Sequence, residues 1–357
     1  MNSTKTYKIA SLFLVIQWAS IQLLSKFPMV VEQYYSNGLY PFLSKIYQFI
    51  FGWVPFSVGD LFYISLLIVA FKGIYSLFKT KSFQFKIGFL KFGAFLSVIY
   101  FIFNINWGLN YYRQPVHEKL QFEISEYSEN ELIEFSKKLI TKLNQVHLQL
   151  VENDSMVVIN NNSIQEIKEE SYIVYNEFET KFPEFQHSKI TVKSSLVSLP
   201  LAYMGFGGYL NPFTNEAQVN YLTPLNAYPA TTCHELAHQI GIGPESEANF
   251  VGYLAGISSS NLHFQYAAYS NALRYCLNEI YESNEAQFEA LKATMNPGIN
   301  KDIENQQAHW EAYQNWTEKY FEFFYDHFLK ANNQEDGIKS YSKMVVLLIN
   351  YYKINNL

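Results

Sequence analysis

The sequence predicts a mostly α-helical membrane protein: three transmembrane helices within residues 1–106, then an α+β domain over 107–357 with a small antiparallel sheet. Three observations predict it. Long apolar runs fill the first third, a soluble composition with helix-capping signals begins at Trp107, and strand-like alternation is confined to residues 189–222.

The apolar runs are 9–24, 56–78 and 87–106, each poor in charge and near the roughly 20 residues a helix needs to cross a bilayer. The first is short and carries Gln17 and Gln22. It reads as an uncleaved anchor rather than a signal peptide, because no small-x-small cleavage site follows it. Trp18, Trp53 and Trp107 stand where interfacial anchors belong. Lys5 and Lys8 precede the first run, and Lys79, Lys81, Lys86 and Lys91 occupy or border the connection between the second and third. The 27–55 connection holds only Lys45, with Lys26 at its edge. Basic residues stay in the cytoplasm, so the expected topology is N-terminus inside a bacterial cytoplasmic membrane and everything after the third span periplasmic or extracellular.

From Trp107 onward some 250 residues suffice for a domain with its own core. Ser128-Glu129-Asn130-Glu131 and Ser163-Ile164-Gln165-Glu166 match the capping-box pattern, predicting helices near 129–150 and 164–182, with a short strand at 156–159 between them. Residues 189–193 alternate like a strand, and the glycine-rich 205–210 followed by 217–221 reads as a hairpin. The remainder is helical: 246–257, 261–281, 285–294, 301–330 and 338–352. The stripe Tyr313, Trp316, Tyr320, Phe323, Phe324 and Phe328 is expected to pack inward. His263, His309 and His327 have no partner at metal spacing.

Residues 234–238 read His-Glu-Leu-Ala-His. On a helix, positions i and i+4 share one face, so His234 and His238 can offer two imidazole nitrogens to one cation. Glu235 lies between them, free to take a proton from a metal-activated water, the general-base step of a zinc hydrolase. Pro229 and the threonines after it open that helix, and Gly241 and Gly243-Pro244 stop it. A second helix starting at Pro244 would return a carboxylate as third ligand of a zincin-like site. Glu245 is placed ahead of Glu247 because Asn249 shares its face. Glu247 stays open as the alternative. The strand before the zinc helix is a place to hold an extended peptide, and Tyr341 is a candidate donor to the oxyanion of the intermediate.

Pro55-Phe56-Ser57-Val58-Gly59-Asp60, Trp107-Gly108-Leu109-Asn110-Tyr111, Pro212-Phe213-Thr214-Asn215-Glu216-Ala217 and His-Glu-Leu-Ala-His-Gln with Glu245-Ser246-Glu247-Ala248-Asn249-Phe250 together resemble a bacterial membrane-protein family of unknown function. That family is regarded as a set of predicted zinc metallopeptidases, and the resemblance covers nearly the whole chain. The Glu-x-x-Ala-Asn segment is also similar to the ligand helix of gluzincin peptidases, which implies Glu245 as third ligand. The separation from His238 is shorter than in most of them.

The expected function is a membrane-anchored, Zn2+-dependent metallopeptidase acting on peptide or protein at the bilayer, with Glu235 as base. A non-catalytic zinc-binding sensor or assembly factor, and a zinc amidase for cell-wall material, are the alternatives. A net charge of −6 with no basic patch or phosphate loop argues against nucleic acid and nucleotide as ligands. Two cysteines, Cys233 and Cys276, do not make a disulfide scaffold.

Overall fold

The computed structural model describes residues 3–79, 85–337 and 343–357, the side chains of 3, 74 and 76–79 excepted. It divides into two compact units, Met1–Gln114 with Asn211–Glu216, and Pro115–Leu210 with Ala217–Leu357. The first unit thus runs past the expected boundary at 106. The turn Gly108–Tyr112 is buried in it, Ser36 donates to Asn110 Oδ1 (2.9 Å), and Arg113 makes a two-pronged contact with Glu32 (2.7 Å on each arm).

That unit contains α1 (Ser3–Leu24), α2 (Pro28–Val30), a π-helical stretch Val31–Leu39, α3 (Tyr40–Phe51), α4 (Val58–Lys79) and α5 (Phe85–Asn106). α1 and α5 pack in parallel: Ser11 Oγ donates to Leu90 O, and Gln17 Nε2 to Ser97 Oγ, both at 2.8 Å. Gly93 permits the approach, since a Cβ there would lie 2.8 Å from Ser11 Oγ. Two helices, Thr4–Leu24 and Phe85–Asn106, are long and apolar enough to cross a membrane, and only 11% and 17% of their apolar windows are buried. The core helix of a soluble protein hides most of such a surface.

Two such spans, not three, are present among the described residues, which corrects the expected architecture. The 56–78 run does form a helix, α4, but Asp60 and Lys72 bracket its uncharged stretch 61–71. That stretch is 11 residues, about 16 Å at 1.5 Å per residue, shorter than the uncharged stretches 9–24 of α1 and 92–106 of α5. Asp60 is buried in the protein.

The hairpin tip that belongs to this unit is fixed by its own polar groups. Asn215, at φ +54°, donates to Tyr40 OH (2.8 Å) and accepts from Ser44 Oγ (2.9 Å). The Glu216 carboxylate accepts from the Val58 (3.2 Å) and Gly59 (2.5 Å) amides, placing a negative charge at the start of α4.

The second unit holds α6 (Val116–Lys119), α7 (Glu129–Leu150), α8 (Ile164–Lys181), β1 (Val192–Ser194), α9 (Ser198–Tyr203), β2 (Gly208–Asn211), β3 (Glu216–Val219), α10 (Tyr228–Gln239), α11 (Glu245–Ser258), α12 (Leu262–Ser283), α13 (Glu285–Lys292), α14 (Pro297–Glu311), α15 (Glu318–Ala331) and α16 (Lys343–Ile354). Both capping boxes form, with Ser128 and Glu131 opening α7 and Ser163 and Glu166 opening α8. Leu139, Leu143, Ile167, Tyr175, Phe178, Leu236 and Phe250 fill the core.

The sheet has order β1-β3-β2, and β1 pairs in parallel with β3, Val192 opposite Ala217. The expected antiparallel sheet is therefore mixed. The chain leaves β1 through α9 before β2, so only the β2–β3 hairpin, with Asn220 N donating to Gly207 O (2.8 Å), turns back on itself. Residues 156–159 form no strand. The Val158 amide goes to Asp302 Oδ2 (3.1 Å) instead. The expected helix 301–330 is two, α14 and α15, and α16 begins at Lys343, with 338–342 outside the described residues.

The aromatic stripe does not pack inward. Trp316, Tyr320, Phe323, Phe324 and Phe328 are exposed, and α15 buries Leu329 on its other side. Periodicity identified an apolar face, but whether a neighbour covers that face depends on the tertiary fold.

Candidate metal centre

α11 is buried on nearly every side, and its first turn carries Glu245, Ser246, Glu247 and Asn249 into the interior. Buried carboxylates need partners, and each finds a different one.

α10 presents the histidines. Its body is held from behind by Tyr175 OH donating to Cys233 O (2.5 Å). Gln239 grips the chain leading into β1 twice: its Nε2 donates to Thr191 O (2.9 Å) and its Oε1 accepts from Thr191 N (2.8 Å). The helix ends in a Schellman motif. Gly241, at φ +95°, sends its amide to His238 O (2.9 Å), and Ile242 N reaches Ala237 O (3.1 Å). The same turn aims Ile242 O at His238 Nδ1 (2.7 Å). A carbonyl can only accept, so Nδ1 carries a proton, and once the ring is neutral Nε2 is the nitrogen with the lone pair, the tautomer a metal ligand requires.

Gly252 brings α11 onto α10. A Cβ there would lie 3.0 Å from His234 N and 3.1 Å from Cys233 C, so a larger residue would push the helices apart directly behind the first histidine. The approach sets Glu245 against both rings. His234 Nε2 and His238 Nε2 are 3.1 Å apart, and Glu245 Oε2 lies 3.2 Å from the first and 3.4 Å from the second. These three form the group able to hold a metal ion among the described residues, with all donor atoms within 4.8 Å of one another. Ligand bonds of about 2.0–2.1 Å at tetrahedral angles give donor separations of about 3.3 Å, so the triangle already has the dimensions of one tetrahedral face.

Electrostatics agree with the geometry. Burial would raise Glu245, but His238 and His234 outweigh it and hold its carboxyl well below the usual range. Burial lowers His234. It would lower His238 too, but the Glu245 carboxylate reverses that and raises the ring to about 9. The other oxygen of Glu245 accepts from Tyr325 OH (2.9 Å), and its amide donates to Gln334 Oε1 (3.0 Å).

Glu235 stands apart from the donor group. It is buried, its Oε2 meets no hydrogen-bond partner, and burial pushes it up to about 8. Gly208 of β2 makes room for it: a Cβ on Gly208 would lie 2.7 Å from Glu235 Oε1 and 2.6 Å from Gln218 O. Because the second obstacle is backbone, Gly208→Ala is expected to cost about 1–3 kcal/mol, read as a lowered thermal midpoint. An unchanged midpoint would show that the strand and Glu235 are not in the contact described.

Glu247 faces elsewhere, its Oε1 accepting from Val116 N (3.0 Å) at the first turn of α6. Asn249 donates to Tyr275 OH (3.2 Å) and supports the charged form of His234. Cys233 and Cys276 are buried free thiols. Tyr341 lies outside the described residues. Sequence reasoning missed Tyr325, one of 28 tyrosines, and the contact of Gly208 with Glu235. No local signal marks either, since both act on residues distant in the chain.

Neither the curated proteins nor the solved structures include a match to this chain. The profile of one family, described as a protein of unknown function (DUF3810), matches residues 35–349, and the chain belongs to that family.

Proposed function

We propose that the protein is a membrane-anchored, zinc-dependent metallopeptidase. The observation that carries the reading is the His234–His238–Glu245 triangle with a second carboxylate, Glu235, buried beside it and outside the donor group. Two imidazole nitrogens and one carboxylate oxygen on a single face match the donor set of catalytic zinc, which keeps its fourth position open. Three protein donors favour this over a structural zinc site, where four are filled.

Zinc bound there would polarise a carbonyl oxygen and make a water more acidic. This chain's residues do the rest. Glu235 Oε2 accepts the proton of the attacking water and passes it to the nitrogen of the leaving amine, a task suited to a carboxyl titrating near 8. Tyr325 and Gln334 hold Glu245 in place. β2 is one of the two edge strands of the sheet, and its Gly208 lies against Glu235. A peptide laid along that edge would bring its backbone to the base without demanding a particular sequence.

Membrane anchoring is supported by α1 and α5, two helices long and apolar enough to cross a bilayer with little of their surface buried.

The test is cleavage of an unbiased peptide library by the full-length protein in detergent, before and after chelation. Cleavage is expected to vanish with the chelator and return with stoichiometric zinc. Cleavage indifferent to the chelator, or none by zinc-loaded protein, would overturn the reading.

A further inference from the structure

A cavity of about 130 Å³ in the second unit is lined by Ala202, Gly205, Trp310, Tyr313, Gln314 and Glu318 and by none of the donor triangle. Its walls are the end of α9, the turn after it, the last turn of α14 and the chain beyond, and the first residue of α15. Gly205 sits at φ +79°, and a Cβ there would lie 3.3 Å from Glu318 Oε1, so a side chain at this position would crowd the acid. The Glu318 carboxylate is half-buried and pairs with no cation among the described residues.

The chemistry of this lining is selective. Two aromatic rings and a single uncompensated carboxylate favour a ligand with an apolar stem and a cationic head, the stem on the rings and the head on the acid. The volume suits one long side chain.

Its distance from the reacting centre can be bounded along two paths. Gly205 precedes Gly208, the residue against Glu235, by three positions, at most about 10 Å of extended chain. Glu318 precedes Tyr325, whose hydroxyl donates to Glu245, by seven positions, about 10 Å of helix. Phe206 joins the two paths, its ring 5.0 Å from that of Tyr325. Ten ångströms is the reach of three residues of an extended peptide.

We infer that this cavity is a specificity subsite for a lysine or arginine side chain of the substrate, no more than about three residues from the bond that is cut. The inference rests on the peptidase reading, and Glu318 is its specificity-determining residue.

The test uses the full-length, zinc-loaded Glu235→Gln protein in detergent, which should hold peptide uncleaved. Labelled peptides carrying lysine or its neutral isostere norleucine, scanned at each position, are titrated against it and against Glu235→Gln/Glu318→Gln. The expected result is a preference for lysine of roughly tenfold at one position, falling to about one when Glu318 is replaced. A Glu318→Lys partner variant should turn the preference toward glutamate. Equal affinity for lysine and norleucine at every position, or a preference that survives Glu318→Gln, would overturn the subsite. A Glu318-dependent lysine preference together with no cleavage by the Glu235 protein would sustain the subsite and sink the peptidase.

Discussion

Glu235→Gln is expected to keep its zinc and lose its reaction. The amide has the shape of the acid, and the residue contributes no atom to the donor triangle, so metal content should match that of the unaltered protein. What the amide cannot do is accept a proton. General acid–base assistance contributes about 10²–10⁴-fold to a rate, and peptide turnover should fall by that much while KM stays within a few-fold. The acid is buried, its Oε2 is without a hydrogen-bond partner, and burial raises it to about 8. A neutral amide in that environment should leave the thermal midpoint unchanged or higher, which separates lost chemistry from lost folding. A variant that retains a tenth of the activity would show that another group takes the proton.

The juxtaposition of the two histidines could be read from five residues because helical periodicity is local: i and i+4 share a face in any helix. The same locality made both capping boxes legible, and the Gly241 turn that ends α10. The face shared with Asn249 already favours Glu245 over Glu247; what occupies Glu247 instead, the Val116 amide, lies more than a hundred residues away. Two features were out of reach. The parallel pairing of β1 with β3 depends on which strand the crossover through α9 leaves in the middle. The exposed aromatic face of α15 has the same periodicity as a buried one, and only its neighbours distinguish them. The number of membrane spans failed for a related reason. Apolar content identified α4 as a helix, but Asp60 and Lys72 limit its uncharged length.

His238→Ala and Glu245→Ala should each weaken zinc binding by more than about 100-fold, because removing groups that merely hold a ligand already costs about 10–100-fold. Glu247→Ala should leave zinc affinity within a few-fold and lower stability instead, since it strips the first turn of α6 of its acceptor. The dependence on pH makes this discrimination sharper than affinity alone. In the metal-free protein His238 is raised to about 9, the Glu245 carboxylate outweighing burial, while Glu245 itself stays ionised. Below about pH 9 the ring therefore holds a proton that must leave before its Nε2 can bind a metal, and zinc affinity should rise about tenfold per pH unit between 7 and 9, then level off. Replacing Glu245 removes the charge that holds that proton. Burial then dominates His238, its pKa falls, and the slope should flatten over the same interval. Glu247→Ala, which leaves the Glu245–His238 contact intact, should keep the full slope. Zinc titrations at three pH values on the four proteins measure this. Equal slopes in Glu245→Ala and the unaltered protein would mean that the carboxylate facing the two rings is not the one that governs the metal.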